Sequence, residues 1–145
     1  MKRILSVLFV LAVVMTTTSI VYAQCSTATL NANYAFTDSG FGTPHLPVKG
    51  PGTVPTAFPI AAVGVLRFDG AGLASLSFTL AFNGGISTGS DTGTYTVNSD
   101  CTGSISFTAG DAPINFNMVI SGGGTEVFAI VTSSGNTQTF DAKKQ

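Results

Sequence analysis

Two short segments of this chain carry the residue types of proton-transfer chemistry. Asp38-Ser39-Gly40 and Asp91-Thr92-Gly93 both match the triplet of the aspartic peptidases. That chemistry needs two carboxylates close enough to share one proton. The same residue types are the turn formers of any β protein. A two-lobed peptidase is far longer than 145 residues, and a dimeric one uses one triplet per chain, so turns are the expected reading. Gly85-Ile86-Ser87-Thr88-Gly89 matches the nucleophile-elbow pattern. That motif requires a strand-to-helix turn and a histidine base. No helical pattern follows it, and the single histidine, His45, lies elsewhere.

The remaining candidates are single residues. Asp69 with Gly70 and Gly72 resembles part of a calcium loop, but a calcium site takes roughly six to eight oxygens and the EF-hand spacing is absent. A hairpin turn is expected there. Two cysteines and one histidine are too few for a protein-only zinc site, and no metal or cofactor is expected. Arg67 precedes the Asp69 turn and is expected to pair with a neighbouring acid. Glu126, Asp38 or Tyr34, placed inside an apolar barrel, would supply the acid or base that an isomerase or cyclase needs.

The elements that must hold these residues are strands. Leu76, Phe78, Leu80 and Phe82 alternate with Ser75, Ser77, Thr79 and Ala81, and similar alternation recurs at Tyr95–Val97, Ile105–Phe107 and Ile114–Ile120. A period of two marks strands with one face in a core and one in water. The expected strands are Asn33–Ser39, Pro59–Phe68, Leu73–Phe82, Ile86–Asn98 (broken near Asp91), Gly103–Thr108, Pro113–Ile120, Thr125–Thr132 and Thr137–Ala142. Short Gly-, Asn- and Asp-rich links between most of them imply antiparallel neighbours. The fold class is therefore all-β. About eight strands is the number at which an up-and-down antiparallel sheet closes into a small barrel. A two-sheet β-sandwich is the alternative.

One link differs. Gly42–Ala57 holds Pro44, Pro47, Pro51 and Pro55 together with His45. A long proline-rich loop is either a functional loop or a lid that seals one barrel end. The strands 59–68 and 125–132 are apolar on both faces, so their outer faces need cover, from that loop or from a second copy of the chain.

The N-terminus reads as a secretory signal peptide over residues 1–23. Lys2 and Arg3 precede an apolar stretch, Ile4–Met15, and Val21-Tyr22-Ala23 suits a cut after Ala23. The barrel domain then spans 24–145, and the protein is expected to be secreted or periplasmic. Cys25 and Cys101 are the only cysteines, and an even count in an exported chain favours a disulfide. Beyond the leader the basic residues are Lys49, Arg67, Lys143 and Lys144, against seven acidic ones. With no basic cluster to neutralise a phosphate backbone, nucleic acid is not an expected partner. An outer-membrane barrel is disfavoured by the missing Trp, the short hairpins and the Lys143-Lys144-Gln145 end.

Two longer segments carry a resemblance. They are Leu66-Arg67-Phe68-Asp69-Gly70-Ala71-Gly72 and Gly93-Thr94-Tyr95-Thr96-Val97-Asn98-Ser99-Asp100-Cys101-Thr102-Gly103. Together with Cys25, Tyr34-Ala35-Phe36 and Ala142-Lys143-Lys144-Gln145, they resemble a group of exported bacterial proteins of uncharacterised function. That group is similar to allene-oxide-cyclase-like barrels within the wider lipocalin-like class. The resemblance implies an eight-stranded barrel and carries no activity, because no catalytic residue of the plant cyclases maps onto this sequence.

Tyr34, Phe36, Phe78, Phe82, Phe107 and Phe116 are the expected inward aromatics. They read first as core, and their bulk implies a largely filled interior. If a hollow exists, they are the residues that would bind a small apolar ligand. The expected function is non-catalytic, as a binder of such a ligand or as a structural, surface-assembly module. A cyclase- or isomerase-like enzyme is the catalytic alternative.

Overall fold

Alternating apolar and polar side chains commit each segment to a strand with a single buried face, and a row of such strands must then curl to hide that face. In the computed structural model, which describes residues 24–42, 57–109 and 112–145, it does so by closing on itself. A single 3₁₀ turn, Thr27–Thr29, leads into β1 (Asn31–Gly42), β2 (Phe58–Asp69), β3 (Leu73–Phe82), β4 (Gly85–Val97), β5 (Thr102–Ala109), β6 (Ala112–Ser121), β7 (Glu126–Val131) and β8 (Asn136–Lys144). Each strand pairs antiparallel with the next, and β8 pairs with β1 from Tyr34↔Lys144 to Gly42↔Asn136. That last ladder makes an eight-stranded closed barrel rather than a sandwich. The signal peptide read over 1–23 and the body of the proline-rich link, 43–56, lie outside the described residues.

The break expected in β4 near Asp91 does not occur. β4 runs unbroken from Gly85 to Val97 against β3, and only its pairing with β5 begins late, at Gly93↔Phe107. The Asp91-Thr92-Gly93 triplet, with its small polar residues, marks this change of partner instead of a turn. Both peptidase-like triplets lie inside strands, β1 and β4. The elbow-like Gly85–Gly89 segment is exposed strand with no helix after it.

Inward-facing residues make the core, and four of the large ones are seated opposite glycine. The cross-strand pairs Phe36↔Gly64, Phe78↔Gly89, Phe107↔Gly93 and Met118↔Gly103 all follow this rule. A Cβ built on those four glycines would approach the facing side chain to 2.8, 2.7, 2.9 and 2.7 Å respectively. The bulky partner thus occupies volume that the glycine leaves empty, as interdigitated packing requires. The outward face is mostly Ser, Thr and Asn, including Thr37, Ser39, Ser75, Ser77, Thr94, Ser104, Asn115 and Thr139, all exposed or nearly so. It also carries exposed apolar residues, among them Val63, Leu73, Ile86, Val119, Phe128 and Ile130.

One end of the barrel is solid. The Tyr34, Phe68 and Tyr95 rings stack edge-to-face, with centroids 5.5 and 4.7 Å apart. Leu30, Leu66, Met118 and Val127 fill the space around them. The segment just before β1, residues 25–30, plugs this end. The Tyr95 hydroxyl donates to the Thr27 and Leu30 carbonyls, 2.9 Å each, and Tyr34 donates to the Gly124 carbonyl. The Cys25–Cys101 disulfide, with Cα atoms 5.0 Å apart, ties the plug to the β4–β5 turn. Burial raises the affinity of both tyrosines for their protons, so they remain donors.

Candidate functional site

The other end is hollow, for a reason visible in strand lengths. β1 to β4 run 10–13 residues, whereas β5 to β8 run 6–10. β4 therefore carries residues 85–92 past the end of β5, whose ladder with it begins at Gly93↔Phe107, whereas β8 reaches the end of β1 at Gly42↔Asn136. Phe78 and Phe82 on β3, Ile60 and Ala62 on β2, and Phe36 and Asp38 on β1 face across a gap toward Phe107 on β5, Ile114 and Phe116 on β6, and Phe140 on β8. The result is a cavity of about 330 Å³. Its floor is aromatic: Phe36–Phe140, Phe116–Phe140 and Phe107–Phe116 have centroids 5.1, 6.1 and 6.3 Å apart. Near its rim Phe58 packs edge-on against Phe82 at 5.7 Å. The proline-rich link leaves β1 at Gly42 and rejoins β2 at Phe58, which are paired residues at this same end.

Four polar side chains interrupt the apolar lining: Asp38, Asp91, Asn136 and Gln138. Gln138 is buried, and its amide donates to the Asn136 carbonyl oxygen at 3.5 Å, which is the outer limit of a hydrogen bond. Asp91 Oδ1 accepts from the Thr92 amide at 2.8 Å. Asp38 differs. Its Oδ1 is buried and has no hydrogen-bond partner among the described residues. Burial pushes its carboxyl up to about 6, against the opposing pull of the Ser39 amide. An unpaired buried carboxylate oxygen is uncommon, because desolvation goes uncompensated.

The sequence-derived residues divide between the two ends. Phe36, Phe78, Phe82, Phe107 and Phe116 all line the cavity. Tyr34 does not; it belongs to the solid end. The expectation of a largely filled interior therefore holds for one half of the barrel only. Of the three residues considered as acid or base, only Asp38 reaches the hollow. Glu126 stands at the opposite end, where Lys143 Nζ lies 3.2 Å from its Oε1. No ion pair of Arg67 falls among the described residues; the side chain is exposed on the outer face. Asp69 is a turn residue, as expected. Its Oδ1 accepts from the Ala71 and Leu73 amides at 2.8 and 2.9 Å, which holds its carboxyl below the usual range.

Sequence reasoning missed Asn136, Gln138 and Phe140 as cavity residues. Strand parity places all three on the inner face of β8, so alternation alone would have found them once the register was fixed. The two stand-out motifs serve the solid end. Gly70 and Gly72 take positive φ, 81° and 112°, in the Asp69 turn. Tyr95, Asp100 and Cys101 hold the plug and the β4–β5 turn, where Asp100 accepts from the Thr102 amide at 3.0 Å and from its hydroxyl at 2.7 Å. No group of three or more metal-ligating side chains occurs among the described residues. No family model, no curated protein and no solved structure matches the chain.

Proposed function

We propose that the protein is an exported carrier or receptor for one small, largely apolar ligand, held in the open end of the barrel. The observation that carries this reading is the cavity itself. It lies within the size range of small-molecule sites, is lined chiefly by phenylalanine and aliphatic side chains, and holds a few polar groups able to orient a ligand. Export rests on the leader-like segment 1–23 and agrees with a disulfide, which persists in oxidising compartments. The likeness to lipocalin-like and allene-oxide-cyclase-like barrels belongs to the same reading. The test is a fluorescence titration of the full chain with the neutral apolar probe N-phenyl-1-naphthylamine. Saturation at one equivalent, weakened by filling the cavity with Ala62→Trp, supports the reading. A linear, non-saturating response contradicts it.

A second reading has its own observation. Val119, Phe128 and Ile130 are exposed on the adjoining outer faces of β6 and β7, and Val119 sits directly opposite Phe128. A structural module would assemble through this face, and Val63 on β2 offers another exposed contact. Concentration-dependent dimerisation that is lost in Phe128→Ser, together with absent probe binding, favours that reading.

A further inference from the structure

The cavity has a definite electrical character. Among the described residues its polar lining consists of two carboxyls and two carboxamides, with no Lys, Arg or His. Asp38 is half-buried in apolar company. Its backbone neighbours across the ladders are Ala62 on β2 and Phe140 on β8. From β2, β3, β5, β6 and β8 no charged side chain faces it, and the one other titratable group in the lining is Asp91 on β4. His45 and Lys49 lie outside the described residues.

From this arrangement, and resting on the reading that the open end binds a ligand, we infer that the ligand is an apolar amine whose ammonium head pairs with Asp38. Three observations converge on it. Asp38 Oδ1 is buried and lacks a donor among the described residues, so the site they form is one hydrogen bond short. An ammonium head supplies that donor together with the charge that a buried carboxylate needs. A fatty-acid carboxylate would instead bring a third anionic group beside Asp38 and Asp91, with no cation among the described lining residues to pair it. A neutral alcohol satisfies the hydrogen bond without the charge. The apolar body lies on the phenylalanine floor, and the rings of Phe78 and Phe82 offer faces that attract a cation entering past them.

The experiment is competitive displacement of N-phenyl-1-naphthylamine from the full chain by octylamine, 1-octanol and octanoate, which share one chain length. At pH 7 octylamine is expected to displace the probe at a concentration at least about tenfold below that of octanol, with octanoate the weakest. Asp38→Asn should bring octylamine to the level of octanol, with octanol still displacing the probe. Between pH 7 and pH 5 octylamine should weaken about tenfold, because a carboxyl near 6 must then lose a proton before it pairs. Octanol should not change over that range. Octanoate matching octylamine, or an octylamine advantage that survives Asp38→Asn, overturns the inference while probe and octanol binding keep the cavity reading intact. An advantage lost in Asp91→Asn but not in Asp38→Asn overturns the assignment to Asp38. No binding of the probe or of any of the three overturns both.

Discussion

The two ends of this barrel are built from the same strands and do opposite things. At one end the inward aromatics, Tyr34, Phe68 and Tyr95, touch one another, and both hydroxyls are satisfied by backbone carbonyls. At the other, Phe36, Phe78 and Phe82 border a cavity, and Asp38 keeps an oxygen without a donor among the described residues. Packing density therefore falls along the barrel axis while polar mismatch rises. Satisfied polar groups and full packing specify a fold. Unfilled volume and an unpaired carboxyl detract from stability, and sites for ligands are commonly of that kind.

Core truncation should separate the ends most sharply. Phe68→Ala removes a fully buried ring from between two tyrosines and should cost about 3–5 kcal/mol. Phe78→Ala enlarges a cavity that is already open and should cost only about 1 kcal/mol. Urea denaturation of both variants checks this, and equal losses would mean that the open end is as tightly packed as the closed one.

Reducing the disulfide should come next. The bridge joins residues separated by 76 positions, and its loss should lower stability by about 2–4 kcal/mol, chiefly by freeing the unfolded chain. Because the bridge lies at the solid end, probe affinity per folded molecule should be unchanged. A reduced but folded protein with a collapsed or altered cavity would show that the two ends are coupled.

The smallest effect carries the opposite sign. A carboxyl whose folded value is raised to about 6 from 3.8 binds its proton more tightly in the folded state. Its contribution is unfavourable above about pH 6, and that penalty fades as pH falls through this window toward 4. Asp38→Asn should therefore stabilise the protein at pH 8, by about 1–2 kcal/mol once partial solvent access is allowed for. The gain should disappear near pH 4. Stability curves against pH for the two proteins measure it, and a destabilised variant at pH 8 would mean that Asp38 has a partner in solution.

The same division explains what the sequence makes legible. Alternation in segments such as Leu73–Phe82 reports which face is buried, so the eight strands and their order are readable. The turn chemistry of Asp69-Gly70-Ala71-Gly72 is local and equally plain. The hollow is neither. It arises from the unequal lengths of strands far apart in sequence, and a phenylalanine in a packed core alternates just as one lining a void does. Phe78 and Phe68 look alike in the chain; only closure of the barrel distinguishes them. Asp38 and Asp91 were noticeable as residues, yet nothing local shows that β1 and β4 carry them to one cavity. The motifs with the strongest sequence signal, around Asp69 and Cys101, mark structural turns because tight turns constrain sequence more than cavities do.

The claim on which all of this depends is that the open end, and not the outer face, receives a ligand. Heteronuclear NMR of the labelled chain during titration with N-phenyl-1-naphthylamine tests it most directly. The shifts should saturate at one equivalent and cluster at Phe36, Asp38, Ala62, Phe78, Phe116 and Phe140, with Tyr34, Phe68 and Tyr95 little changed. Shifts centred on Val119, Phe128 and Ile130, or none that saturate, would contradict it.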